Sequence, residues 1–133
     1  MKRYKIPNEV LYGIKELDDQ HQELVDTVRS LDAHVGSDDI ATIEKIFDHL
    51  EKLMIKHFSD EESIMKETEF PDVAAHSVHH KKLLEEARQI FSIAVSRGTL
   101  SEHDINESID KILRHLLLAD APFNTHLRQT QHV

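Results

Sequence analysis

Apolar residues along this chain recur at intervals of three and four, and the recurrence breaks where glycine, proline or a Ser/Asp cluster intervenes. That period marks helices with one buried face. The pattern predicts helices over about 18–35, 39–66, 72–97 and 101–120. The first carries Leu24, Val25, Val28 and Leu31 on one stripe, with His21 on the same stripe. Gly36-Ser37-Asp38 then supplies a helix end and a new start. The second stripe is Ile43, Ile46, Phe47, Leu50, Leu53 and Met54, continued by His57, Glu61 and Ile64. Phe70-Pro71-Asp72 marks the next boundary. The third opens with His76 and His80 and runs on through Leu83, Leu84, Ala87, Ile90, Phe91 and Ala94 to a terminal Gly98. The fourth starts at Ser101, with Asp104 as a capping-box partner, and buries Ile105, Ile109, Ile112, Leu113 and Leu116.

Residues 1–17 read as an extended arm, because Pro7 and Gly13 interrupt any helix there. Pro122 is expected to end or bend the last helix, leaving a frayed polar tail from Asn124 to Val133. Short connections make consecutive helices antiparallel neighbours. The expected fold is therefore all-α: an antiparallel up-down-up-down four-helix bundle with an N-terminal extended arm, in one domain over 1–133.

Each helix places polar residues where its stripe calls for apolar ones. These are His21; His57 and Glu61; His76 and His80; His115 and Asp120. A helix rises about 1.5 Å per residue, so heights can be compared. His21 lies roughly 20 Å from the first interhelix loop and His57 about 27 Å from it. From the second loop Glu61 and His57 lie roughly 8 and 13 Å back, and His76 and His80 roughly 6 and 12 Å forward. His80 and His115 lie about 26 and 21 Å from the third. All these residues fall at one level, toward one end of the bundle. The i, i+4 pairs His57/Glu61 and His76/His80 each face one way. His115 and Asp120 are five apart, about 140° on a regular helix. A π-bulge between them would turn both inward.

Imidazoles mixed with carboxylates suit first-row metals such as iron, and suit calcium or magnesium poorly. The set is richer in histidine than the Glu-x-x-His pattern of ferritin-like di-iron bundles. No H-E-x-x-H zinc motif occurs, and no serine or cysteine nucleophile stands beside a positioned base. The absence of cysteine excludes disulfides, thiolate zinc sites and iron–sulfur clusters.

The sequence Asp-x-Gln-His at 18–21, His-Phe-x-x-Glu-Glu at 57–62, His-x-x-x-His at 76–80 and His-x-x-x-x-Asp at 115–120 resembles the hemerythrin family, in its single-domain bacterial type. The resemblance spans about Ile14 to Asp120 and fills all seven ligand positions with the family's residue types. It implies two non-haem iron ions bridged by carboxylates and an oxo or hydroxo group. His76, His80 and His115 would hold one iron, His21 and His57 the other, with Glu61 and Asp120 bridging. The iron with two imidazoles keeps one open position, where dioxygen would bind. The implied function is reversible dioxygen binding for carriage, storage or sensing, and not enzymatic turnover. A di-iron oxidase or peroxidase and an iron-handling protein are the alternatives. The chain departs from the family in having no tryptophan, and Lys111 stands where members often carry one.

A formal net charge of −9 argues against a nucleic-acid partner or an anionic membrane surface. The basic N-terminus is not followed by an apolar run, so no signal peptide is expected, and no run approaches the ~20 residues of a membrane span. These features point to a soluble cytoplasmic protein, and the resemblance implies dioxygen and an unidentified protein or redox partner as its partners. The other histidines, His34, His49, His79, His103, His126 and His132, are read as surface or flanking residues, with a role beside the ligands as the alternative for His79, about 60° off their stripe, and Glu62 is read as a solvated carboxylate.

Overall fold

The structure is a computed structural model and describes residues 15–115 and 121–131. Its elements are α1 (Lys15–Ser30), a 3₁₀ turn (Leu31–His34), α2 (Ile40–Glu67), α3 (Val73–Arg97), α4 (Glu102–Arg114) and α5 (Ala121–Gln131). Among the described residues no strand forms. Helices α1 to α4 pack in a ring, each against its two neighbours. Cross-helix pairs show the antiparallel sense: Glu16 and Glu23 of α1 meet Lys56 and His49 of α2, and Glu51 and Glu62 of α2 meet Arg88 and His80 of α3. The expected up-down-up-down bundle is the observed fold. The N-terminal residues 1–14 of the expected arm lie outside the described residues.

Local chemistry sets the helix ends. Asp39 caps α2 by accepting from Thr42 N (3.2 Å) and Thr42 Oγ1 (2.7 Å). α2 closes with Phe70 N donating to Met65 O (2.8 Å) and Glu69 N to Lys66 O (3.2 Å), with Glu69 in the left-handed region at φ 58°. That is a Schellman closure with a non-glycine residue at its left-handed position. α3 closes the same way, through Thr99 N to Ala94 O and Gly98 N to Val95 O (both 3.2 Å), with Gly98 at φ 81°. α4 opens on the expected capping box: Asp104 N donates to Ser101 Oγ (3.1 Å), and Ser101 N donates to Asp104 Oδ2 (3.0 Å). Arg97 also pairs with that carboxylate. At the same end of the bundle, Gly36 N donates to Leu100 O (2.9 Å), tying the α1–α2 loop to the α3–α4 loop.

Two sequence expectations need correction. The arm was expected to reach residue 17, yet Lys15 already opens α1 and Leu17 is wholly buried. The tail after Asn124 was expected to fray, yet Ala121–Gln131 is a helix that buries Phe123 and Leu127. Pro122 sits in the first turn of α5, where its missing N–H has no intrahelical partner to lose. Proline there starts a helix as readily as it stops one.

The apolar core divides in two. The larger cluster, at the Gly36 end, includes Leu24, Val28, Ile43, Phe47, Met54, Phe58, Leu83, Ile90 and Ile105. The smaller one joins Leu17, Met65, Phe70, Phe123 and Leu127. α1 to α3 each run from one cluster to the other, and the residues they contribute between the two are the histidines and Glu61.

Candidate metal centre

His21, His57, Glu61, His76, His80 and His115 are all buried, with Glu61, His21 and His57 at 0 % exposure. Each sits one or two turns from an apolar stripe residue on its own helix, so packing of the clusters on either side fixes the level of the layer. Six of the seven residues singled out from the sequence meet there. Asp120 lies outside the described residues. His115, directly after α4, has π-helical geometry, and the rest of the segment for which a π-bulge is expected lies outside the described residues.

Glu61 is the centre of the layer. Its Oε2 lies 3.1 Å from His57 Nε2 and 3.6 Å from His21 Nε2. Its Oε1 lies 2.9 Å from His80 Nε2 and 3.8 Å from His115 Nε2. His76 completes the far side, its ring centroid 5.7 Å from His80 and 6.3 Å from His115. The donors therefore form two groups that share Glu61: His21, His57 and Glu61, and Glu61, His80 and His115, each with ligand atoms within 4.8 Å of one another. Donors about 2.1 Å from one first-row cation stand about 3 Å apart when adjacent and about 4.2 Å when opposite. The four spacings to Glu61, 2.9 to 3.8 Å, match that range, so the residues present fit a pair of cations that share one carboxylate.

Electrostatics point the same way. Burial pushes the Glu61 carboxyl up, but hydrogen bonds with His21, His57 and His80 outweigh it and hold the group well below its usual value. The residue is thus anionic in an apolar interior, where an uncompensated charge costs several kcal/mol. Asp60, beside it, is held low mainly by the Gln20 amide and also by Lys56, despite some desolvation.

Outer contacts orient the ligands. His57 Nδ1–H donates to Gln20 Oε1 (2.8 Å), and Gln20 Nε2 donates to Asp60 Oδ2 (2.8 Å). His80 Nδ1–H donates to Glu62 Oε2 (2.8 Å). Phe58 stacks on His80 (centroids 4.1 Å, 5° between planes) and lies 5.6 Å from His115. Phe58 is thus a wall of the layer. On the other side Phe70 meets His76 edge-on at 5.6 Å.

Three residues read as solvated or peripheral are not. Glu62 binds His80 and is only 22 % exposed. It lies one residue from Glu61, about 100° round α2, a turn that brings it to face α3 instead of solvent. His79 is half-buried and stacks on His115 (5.0 Å, 16°). His126 of α5 sits 2.7 Å from Thr68 O and packs on Phe70. Sequence reasoning also assigned no role to Gln20 or Asp60. The only signal for Gln20 was its place directly before His21 in the Asp-x-Gln-His motif.

A buried His/Glu layer of this kind defines a metal-binding helical bundle. Comparison with known proteins places the chain more closely. The family model described as Hemerythrin HHE cation binding domain matches residues 12–127. The chain belongs to the hemerythrin family. It is 29 % identical over 113 residues to a bacteriohemerythrin of Campylobacter jejuni subsp. jejuni serotype O:6, covering 79 % of this chain and 80 % of that one. It is 27 % identical over 105 residues to a bacteriohemerythrin of Methylococcus capsulatus, covering 79 % and 77 %. Among the described residues no helix is long and apolar enough to cross a membrane.

Proposed function

We propose that this protein binds dioxygen reversibly at a non-haem di-iron centre, for oxygen carriage, storage or sensing. His21 and His57 would hold one iron, and His76, His80 and His115 the other. Glu61 would be shared by the two, and Asp120 is assigned as a second shared ligand on the strength of its motif. The observation that carries the reading is the division of the Glu61 carboxylate, one oxygen toward each histidine group. The iron pair, when bound, supplies the two-electron chemistry of dioxygen uptake and release.

The chain's own residues do the rest. Gln20 and Glu62 accept from His57 Nδ1 and His80 Nδ1, which leaves Nε2, on the Glu61 side of each ring, as the atom that would ligate a cation. The unequal histidine count leaves the His21–His57 position the less filled, and ligand entry is assigned there. Phe58 and the larger cluster on one side, and Phe70 and the smaller cluster on the other, keep bulk water from the layer.

The test is the visible spectrum of the iron-loaded chain, reduced without oxygen, exposed to air and deoxygenated again. A charge-transfer band that comes and goes with oxygen is expected. A band that persists would favour a di-iron oxidase, a peroxidase or iron handling. No bound iron and no band would overturn the reading.

A further inference from the structure

We propose that Gln20 and Glu62 are positioning residues that make the two metal positions unequal, the His80–His115 position being the tighter; this rests on the two-metal reading above. Asp60 Oδ2 can only accept a hydrogen bond, so the Gln20 amino group must face it (2.8 Å). Lys56 Nζ, 3.0 Å from the same oxygen, fixes Asp60 in turn. Gln20 Oε1 is thereby turned toward His57 (2.8 Å), and an amide oxygen accepts only. His57 Nδ1 is thus held by a neutral partner on α1, itself oriented by the Lys56–Asp60 ion pair of α2.

His80 is held at the same atom by an anion. Glu62 Oε2 stands 2.8 Å from its Nδ1, partly shielded from solvent. A charge-assisted bond is roughly twice as strong as a neutral one. It also makes the opposite ring nitrogen a better donor, as carboxylate–histidine pairs do at metal sites. His80 Nε2 is the imidazole nitrogen nearest Glu61, at 2.9 Å. Both effects favour the cation shared by Glu61, His80 and His115 over the one shared by Glu61, His21 and His57. The strong site is thus the one richer in ligands, and the weaker one is the position assigned to dioxygen.

The test titrates Co2+ into the metal-free full chain by calorimetry, with far-UV circular dichroism confirming that each variant is folded. Wild type should take up two ions in two separable steps. E62A should weaken the tighter step by about 10–100-fold and leave the other within twofold. E62Q, whose amide oxygen still accepts, should fall between. Q20A should weaken only the second step. Two-ion uptake with both steps changed equally by either variant, or changed by neither, overturns the proposal while the two-metal reading stands. No uptake by wild type overturns both.

Discussion

Glu61 has no exposed surface, yet its carboxyl is held in the charged form by rings on either side. A bundle interior gains nothing in stability from such a group that an apolar residue of like size would not supply. Its retention fits a functional site better than a structural one. Replacing it with glutamine keeps the shape and one acceptor but removes the charge that two cations share. E61Q should therefore bind at most one iron per chain where the wild type binds two, read by metal analysis after desalting. Phe58 offers a contrasting case. It packs on His80 and His115 and closes the larger cluster over the layer. F58A should cost about 3–5 kcal/mol in a urea melt, as large-to-small core changes do. It should also speed the loss of any oxygen-dependent band, because water then reaches the rings.

The helices were legible in the sequence because their stripes are regular and their ends carry capping chemistry. Ser101 and Asp104 form the expected reciprocal pair, and Gly98 takes the expected left-handed turn. Asp104 is desolvated, which raises its carboxyl, but the Ser101 bonds and Arg97 outweigh this and lower it. A lowered carboxyl contributes stability that is complete above its unfolded value near 3.9 and fades as pH falls below it. D104A should thus cost about 1 kcal/mol at pH 7. The gap from wild type should shrink by pH 3, as urea midpoints at both values will show. Glu69 at φ 58° is the opposite case, a left-handed closure without glycine. E69G should stabilise the fold by about 0.5–1 kcal/mol, whereas G98A should cost about 1. Where reading failed, the stripe was blind to neighbours. Glu62 and His79 are off-stripe on their own helices, but the adjacent helix supplies a partner for each. The end at Pro122 failed because proline marks helix starts and stops alike, and only the packing of Phe123 and Leu127 decides between them.

Across the whole molecule, the histidine layer was the most legible feature, because antiparallel packing turns matched sequence offsets into matched heights. The outer contacts were not, since Gln20 and Asp60 act through side-chain geometry that no periodicity encodes. The layer draws on α1, α2, α3 and the end of α4, and it separates two apolar clusters that do not otherwise merge. Cations bound there tie the helices together at the level where apolar packing is interrupted. They also offset part of a net charge of −9. A ligand that binds only the folded state adds about 2.7 kcal/mol when present at a hundred times its dissociation constant. Two ions would then add about 5 kcal/mol, which for a domain of this size raises the melting temperature by roughly 15 °C or more. Thermal melts of the iron-loaded or Co2+-loaded chain against the same chain in chelator should show that rise. In E61Q most of the rise should vanish while the melt in chelator changes far less. An equal rise in both proteins would mean that the cations stabilise the bundle from some other place, and the shared role given to Glu61 would fall.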